Sequence, residues 1–301
     1  MSPSTPVNVL FITSHNEEVT LKEPELSRLR LLLDANGIVV SSTSLPLNKE
    51  DLTPYQIVVL GNPLDSTFSK PEVSTLTAYV ESGGGLLVLS GATIFGKGGD
   101  AARNTNLNAV MKPFALEFSD MAIRATMTRS NGEEKSPDDM ITTIPSAMHP
   151  IVTGIRCVLF LGATSIMSGN KAHQILRASS YPGNPIVAVA QEVKNGRVVA
   201  LGGTTPFFND YIEIRDHSTF IIQTFRWLAK IPTDQEIVLL STPQLRDDVE
   251  PSSVTIEELR NQLDAIEEEL HSLKKMIHSS LKEMEKIIHK IQQEKDQGEE
   301  E

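Results

Sequence analysis

Residues 55–91 read YQIVVLGNPLDSTFSKPEVSTLTAYVESGGGLLVLSG, and this stretch decides the fold. Its first part, residues 57–60, is a short apolar run rich in β-branched side chains, which is typical of a strand buried on both faces. Gly61-Asn62-Pro63 ends that strand, because proline has no N–H to give to a sheet. The next part predicts a helix that begins near Pro71, since proline suits the first helical position.

The predicted helix carries apolar side chains at spacings of three and four from Val73 to Val80, so one of its faces is expected to pack on a sheet. Gly83-Gly84-Gly85 ends the helix, and residues 86–89 predict a second buried strand. A strand, a helix and a parallel strand within about 35 residues form a βαβ unit, which is almost always right-handed.

The chain before this stretch repeats the same pattern. Strands are predicted over residues 7–13 and 38–42, with a helix over residues 23–36 between them. Gly37 stands where a glycine commonly ends a helix. Two successive βαβ units predict an α/β fold with a doubly wound, mostly parallel sheet.

The chain after this stretch predicts a small insertion over about residues 114–145, with a β-hairpin in it, and then a return to the α/β pattern. Asn195-Gly196 is typical of a hairpin turn, and residues 217–229 predict an amphipathic helix that closes a domain over residues 1–232. The strands expected in this part lie at residues 158–161, 175–178, 186–192 and 197–201.

The C-terminal part differs in character from the domain. Residues 233–253 predict a linker with a docked strand at residues 237–240, and residues 254–297 predict a coiled-coil helix. The apolar seam of that helix consists of Ile256, Leu259, Leu263, Ile266, Leu270, Leu273, Ile277, Met284, Ile287 and Ile291. Further apolar side chains widen the seam, which favours a trimer, a bundle or a partner helix over a simple dimer. A helix folded back on its own domain remains an alternative.

The composition excludes several classes of protein. The net charge of −12 argues against a nucleic-acid-binding protein, which would concentrate lysine and arginine. No apolar run is long enough for a membrane span, and no signal peptide is evident. Cys157 is the only cysteine, so a disulfide framework and a cysteine-based metal site are excluded within one chain. We therefore expect a cytoplasmic protein without a metal or another cofactor.

Two motifs suggest catalysis only weakly. Residues 91–98 read GATIFGKG, which matches the first part of a phosphate-binding loop, but Gly98 stands where such a loop needs a Mg²⁺-binding hydroxyl. Ser90 follows a buried strand, as a nucleophilic serine would, but Val88 and Ala92 stand where the nucleophile elbow needs glycine. We expect a glycine-rich loop at the first motif and no covalent catalysis at the second.

A ligand cleft is the third candidate. In open α/β sheets, ligands bind outside the carboxyl ends of the strands. The polar side chains that the sequence predicts at those ends are His15, Asn62, Ser90, Thr204 and Asn209. They would suit a small neutral or sugar-like ligand, although loops at strand ends are polar in most proteins of this class.

Several short motifs carry a family resemblance over about residues 7–231. They are Phe68-Ser-Lys-Pro-Glu-Val, residues 79–91, Arg103-Asn-Thr-Asn-Leu-Asn, His149-Pro-Ile-Val-Thr-Gly, Gly196-Arg-Val-Val-Ala-Leu-Gly-Gly and Phe225-Arg-Trp-Leu. With these motifs the chain resembles the class I glutamine amidotransferase-like fold. It is most similar to the non-catalytic branch found in intraflagellar transport complex B subunit 52 and in gliding-motility transport accessory proteins.

The resemblance also bears on activity. Enzymes of this fold use Cys, His and Glu, and the matching positions here are Ser90, about His217, and Thr219. The resemblance therefore implies a protein without catalytic residues that serves the assembly of transport complexes.

We expect a non-enzymatic adaptor that oligomerises or binds a protein partner through its C-terminal helix. The alternatives are a hydrolase or amidotransferase-like enzyme that uses Ser90, and a module that binds a sugar or a nucleotide.

Overall fold

A computed structural model describes residues 6–21, 24–45, 47–64, 67–91, 106–124, 140–232 and 236–240. These residues belong to one compact unit, Met1–Leu240. The predicted coiled coil at residues 254–297, the glycine-rich motif beyond Gly91 and most of the predicted linker lie outside the described residues, so those interpretations stay predictions.

Nine strands of the described chain form one sheet in the order β2-β1-β3-β4-β11-β10-β9-β6-β7, and β5 and β8 pair in a second, two-stranded sheet. The strands are β1 (Val7–Ile12), β2 (Ile38–Thr43), β3 (Ile57–Gly61), β4 (Gly85–Leu89), β5 (Leu116–Arg124), β6 (Ile141–Pro145), β7 (Val158–Phe160), β8 (Gly162–Ser168), β9 (His173–Ala178), β10 (Ile186–Val193) and β11 (Gly196–Leu201). The helices are α1 (Ser27–Ala35), α2 (Lys49–Leu52), α3 (Lys70–Glu81), α4 (Asn108–Met111) and α5 (His217–Leu228).

Both faces of the large sheet are covered, which is what a doubly wound fold requires. Side chains alternate along the strands, so that Val9 and Phe11 of β1 face the core shared with α1 and α5, while Leu10 and Ile12 face the core shared with α3 and α4. The predicted αβ architecture is thus confirmed. The predicted βαβ unit is β3-α3-β4, in which β3 and β4 pair in parallel.

The prediction of a mostly parallel sheet is wrong for half of it. The pairings β2-β1, β1-β3, β3-β4 and β4-β11 are parallel. The pairings β11-β10, β10-β9, β9-β6 and β6-β7 are antiparallel. Short connections explain two of these antiparallel pairings, β11-β10 and β10-β9, because a parallel neighbour needs a crossover of a dozen or more residues.

The hairpin predicted within residues 114–145 does not form between β5 and β6, the strands of this segment that the structure describes. β5 pairs with the distant β8, from Leu116 opposite Ser168 to Arg124 opposite Gly162. This pairing buries Leu116 and Phe118 against the core on the α3 side. β6 instead joins the large sheet between β7 and β9.

The turn predicted at Asn195-Gly196 lies one residue earlier. Val193 pairs with Gly196, so the loop between β10 and β11 is Lys194-Asn195. Gly196 opens β11 because no larger residue fits there: an added Cβ would lie 2.0 Å from the carbonyl oxygen of Val80. The hairpin itself is confirmed.

Residues 237–240 are docked as predicted but do not form a strand. The side-chain amide of Asn36 clamps the backbone of Val238, donating to its carbonyl over 2.8 Å and accepting from its N–H over 3.1 Å. Ile237 and Leu240 pack against the core that α1 and α5 cover. An amide clamp therefore replaces the ladder that the sequence predicted.

Candidate functional site

The carboxyl ends of the parallel strands are covered by a segment that we call the crossing loop, residues 14–19. Its backbone pairs with the turn after β3, because Glu18 and Val19 donate to the carbonyls of Asn62 and Gly61 over 3.0 and 2.9 Å. The Val19 side chain is fully buried. Only glycine fits opposite it, since a Cβ on Gly61 would lie 2.3 Å from the Val19 carbonyl oxygen. The crossing loop thus packs against the carboxyl end of β3, one of the strand ends at which the sequence predicted a cleft.

Two of the predicted ligand-binding residues meet at Glu18. Its Oε2 accepts hydrogen bonds from the Asn62 side-chain amide over 2.7 Å and from the Thr204 hydroxyl over 3.2 Å. Burial raises the pKa of Glu18 in spite of these two hydrogen bonds, which lower it. Asn62 is fully buried, and its Oδ1 accepts no hydrogen bond from the described residues. Glu18, Asn62 and Thr204 therefore form an internal polar cluster.

His15 lies in a neighbouring cluster. Its ring stacks on Phe68 with centroids 4.0 Å apart, and its Nε2 lies 3.3 Å from Glu72 Oε1. Glu17 Oε2 accepts a hydrogen bond from the His15 backbone over 3.0 Å. Burial raises the pKa of Glu17 more than its contacts with His15 lower it. The crossing loop is thus held by charged side chains that are largely withdrawn from solvent.

Ser90 does not face a cleft. The residue has 0% exposure, and its backbone N–H donates to Leu201 over 2.8 Å. Gly91 after it packs closely on the turn that follows β11, where a Cβ on Gly91 would lie 3.2 Å from Gly203 Cα. Among the described residues, Ser90 is thus packed in the interior beside this turn.

His217, the position that matches the catalytic histidine of the enzymes, has a structural role. Its Nε2 accepts a hydrogen bond from the Leu159 backbone over 2.8 Å, and its Nδ1 lies 2.7 Å from the Tyr211 carbonyl. The proton must therefore sit on Nδ1, and neither ring nitrogen is left to act as a base. Burial lowers the pKa of His217 to about 4, so the ring is neutral at physiological pH.

Asn209 stands apart from the other predicted site residues. Its side chain binds the start of α1, where it accepts from the Arg28 N–H over 2.8 Å and donates to the Ser27 hydroxyl over 3.0 Å. The structure therefore brings Asn62 and Thr204 together through Glu18. It places His15 beside Glu17, and it leaves Asn209 at a helix end.

The sequence did not single out Glu18 and Glu72, which organise these clusters. Glu72 was readable as the third residue of a capping box after Ser69, since its carboxylate accepts from the Ser69 N–H over 2.8 Å. No sequence signal marks Glu18, because adjacent acids in a loop are usually solvated. Among the described residues, no group of three acidic, histidine or cysteine side chains is placed to hold a metal ion. No helix in the same part of the chain has the length and apolar character that a membrane span requires.

The comparisons with known proteins agree with this geometry. Residues 8–130 match the model of a family described as the IFT52 GIFT domain. The search of curated proteins found no match. The resemblance predicted from the sequence is thereby confirmed: the chain is similar to the amidotransferase-like domain of the IFT52 type.

Solved structures share the fold. The N-terminal domain of mmIFT52 superposes with a TM-score of 0.61 at 20% identity, over 77% of this chain and 100% of that one. A cytoplasmic protein from Salmonella typhimurium gives 0.53 at 16% identity, over 73% and 98% of the two chains. A ThuA-like protein from Bacteroides uniformis gives 0.52 at 16% identity, over 76% and 93%. At these identities the structures establish the fold and nothing about activity.

Proposed function

We propose that this chain is a non-enzymatic, cytoplasmic subunit of an intraflagellar-transport-type or trafficking complex. The α/β domain serves as a rigid protein-binding body, and residues 254–297 oligomerise or pair with a partner helix. The similarity to the IFT52 GIFT domain supports a transport-related role. The adaptor role and the coiled coil rest on the sequence pattern.

One observation carries the non-enzymatic part of this proposal. It concerns the three positions that the resemblance gives to the amidotransferase triad. Ser90 is buried, His217 has both ring nitrogens bonded to backbone, and Thr219 replaces the acid. A nucleophile needs a neighbouring base that can take up its proton. These residues offer no such base, which disfavours the alternative of a hydrolase that uses Ser90.

The coiled-coil part is tested by changing the apolar seam in the full chain. Leu263→Asp with Leu270→Asp places charges at two seam positions, and burying an unpaired charge opposes association. We expect affinity purification followed by mass spectrometry to recover a partner, or light scattering to show an oligomer, for the wild type and neither for this variant.

The control is Asn261→Asp with Lys275→Asp, which adds acids at outward positions of the same predicted helix, on either side of the two seam positions. We expect this control to behave as the wild type. An unchanged mass and unchanged partners in the seam variant would contradict the proposal, as would equal losses in both variants.

A small ligand at the strand ends is a second candidate, favoured by the unpartnered Oδ1 of the buried Asn62. A neutral polar ligand that reaches this atom would donate a hydrogen bond to it and stabilise the crossing loop. A thermal shift measured with a panel of sugars and nucleotides tests this function, because a ligand that binds only the folded state raises the melting temperature. A shift in the wild type that disappears in Asn62→Leu is expected, and the same shift in both proteins would contradict this candidate.

A further inference from the structure

Three of the motifs in the sequence meet at a single tryptophan. The His149 ring lies edge-on to Trp227 with centroids 4.9 Å apart, and the Arg197 guanidinium lies over the Trp227 ring at 4.8 Å from its centroid. Arg197 also donates to the Trp227 carbonyl over 2.7 Å. These three residues are far apart in sequence, and the proposed adaptor function does not explain why they are in contact.

The three residues line a concave site that we call the Trp227 pocket. Its volume is about 560 Å³, and its polar lining consists of His149, His173, Glu192, Arg197 and Lys230 around Trp227. β9 and β11 begin here and α5 ends here. The pocket therefore lies at the end of the sheet opposite Ser90 and the crossing loop.

The charge of the pocket is opposite to that of the chain. Among the described residues that line the pocket, Arg197 and Lys230 are positively charged and Glu192 is the acid, in a protein whose net charge is −12. The pKa of His149 falls to about 4, first because the ring is buried and then because His173 and Arg197 repel a second positive charge. Glu192 opposes this effect but does not cancel it. The local field therefore favours an anion.

The basic groups keep donors for a ligand. Arg197 donates hydrogen bonds from Nε and Nη2 to the Glu192 carboxylate and from Nη1 to the Trp227 carbonyl. One N–H on each of Nη1 and Nη2 therefore remains as a donor. The Glu192 side chain is 65% exposed, so water screens its ion pair with Arg197. Breaking this ion pair to bind a ligand therefore costs little free energy. His173 is exposed, and its ring lies 5.5 Å from that of His149.

The rim adds an apolar contact. Met148 is fully exposed at the mouth, beside Pro150, Ile231 and Pro232. An unbranched thioether side chain adapts to ligands of different shape, so it suits a peptide better than a small rigid anion. Basic donors beside an apolar rim fit a segment that carries acidic and aliphatic side chains together.

We propose that the Trp227 pocket binds an acidic segment of a protein partner, with a carboxylate on Arg197 and His173 and an aliphatic side chain against Met148. This inference rests on the proposed function, because it names the chemistry of a partner for the protein-binding domain. Phosphate or a free small carboxylate would lack the apolar contact and would bind less well.

The full chain carries its own reporter, because Trp227 is its only tryptophan. The probe is the peptide GEELEEG, and the comparison peptides are GQQLQQG, GEEGEEG and free glutamate. We expect a saturable change in tryptophan fluorescence with the first peptide, which weakens as salt is raised because screening reduces the attraction between charges. Weaker binding is expected for the peptide without leucine, and none for the glutamine peptide or for glutamate.

Two variants and a matched control test the assignment. Arg197→Gln is expected to weaken binding by about tenfold, the loss that follows when a charged hydrogen bond to a carboxylate is removed. His173→Gln, at an exposed position, keeps the fold and is expected to weaken binding several-fold. Arg177→Gln changes an exposed arginine that does not line the pocket, and it is expected to bind as the wild type.

Three results would overturn the proposal. The first is equal affinity for the glutamate and glutamine peptides, and the second is an equal loss of affinity in His173→Gln and Arg177→Gln. The third is the absence of saturable binding. Partner recovery by affinity purification separates this failure from failure of the proposed function. A partner retained by wild type and His173→Gln alike, without peptide binding, overturns the acidic site and leaves the proposed function in place. A partner lost from His173→Gln but kept by Arg177→Gln supports both.

Discussion

His217 shows how a residue of a catalytic type is held in a structural role. Its two ring nitrogens connect β7 to the loop before α5 through the backbones of Leu159 and Tyr211. Asp216 next to it accepts hydrogen bonds from the backbones of Arg156 and Cys157 over 2.7 and 3.0 Å. Asp216 and His217 thus hold β7, the edge strand of the large sheet, and the residues just before it by hydrogen bonds to their backbone. Neither side chain is directed at Ser90.

The buried His217 should make the protein less stable in acid. Because the pKa in the folded state is about 4, below its ordinary value of 6.5, its contribution is complete above pH 6.5 and is lost as the pH falls towards 4. The loss amounts to about 3 kcal/mol. Denaturant unfolding at several pH values should therefore show a weaker pH dependence in His217→Gln than in the wild type.

The control for this measurement is Gln174→Ala, at an exposed position without a titrating group. Since the other titrating groups are shared by all three proteins, they cancel in the differences between the curves. We expect the control and the wild type to run parallel. A His217→Gln curve parallel to the wild type would contradict the structural role of the ring.

Gly196 illustrates a packing constraint at a single residue. An alanine Cβ there would lie 2.0 Å from the Val80 carbonyl oxygen and 2.4 Å from that of Gly84, so the backbone would have to move. We expect Gly196→Ala to lower the free energy of unfolding by about 3 kcal/mol, as overpacking does. Gly169→Ala is the control, because its Cβ would meet ordinary contacts at 3.4 Å. Equal thermal stability of the two variants would contradict this account.

At the scale of elements, α3 begins with a capping box that also supports His15. The Ser69 hydroxyl and N–H both donate to Glu72, over 2.7 and 2.8 Å, and the Glu72 carboxylate also reaches His15. The hydrogen bonds from Ser69 and the charge of His15 lower the pKa of Glu72 in spite of its partial burial, which raises it. One carboxylate thus joins the start of a helix to the crossing loop.

Removing the cap should destabilise the domain by a small, measurable amount. We expect Ser69→Ala to lower the free energy of unfolding by about 1 kcal/mol, the usual cost of losing such a cap. Ser74→Ala, at an exposed position within α3, is the control and should change stability by less than about 0.5 kcal/mol. A cost at Ser69 no larger than at Ser74 would show that the cap contributes nothing to stability.

Elements with a strong local pattern were predictable from the sequence. The strands β1, β3 and β4 and the helices α3 and α5 follow apolar runs or helical spacing, which local sequence records directly. β8 was missed, and β5 was assigned to a hairpin, because their pairing joins residues about fifty positions apart. A pairing at that distance leaves no trace in local periodicity.

The candidate site was less predictable than the fold. His15, Asn62, Ser90, Thr204 and Asn209 were chosen because they follow strands, and that rule places residues at one end of a sheet but does not tell which of them face solvent. The crossing loop packs at one of these strand ends through backbone pairing between Val19 and Gly61, which side-chain chemistry does not encode. The Trp227 pocket, by contrast, contains His149, Arg197 and Trp227, which belong to three of the motifs that carry the family resemblance.

On the scale of the whole molecule, the sheet has two dissimilar halves. The parallel half, from β2 to β11, includes the carboxyl end of β3, where the crossing loop pairs with the following turn. The antiparallel half contributes strand starts and ends around Trp227. The crossing loop therefore packs at one end of the sheet, and the opposite end presents a basic pocket.

The burial of Ser90 and the backbone hydrogen bonds of His217 predict that Ser90 does not react as a nucleophile. The most direct test is the reaction of the folded full chain with a fluorophosphonate, read by intact mass and peptide mapping, with an active serine hydrolase in the same tube. We expect complete labelling of the hydrolase and no adduct on Ser90. A stoichiometric adduct on Ser90 that is absent from Ser90→Ala would contradict the claim and restore the enzyme alternative.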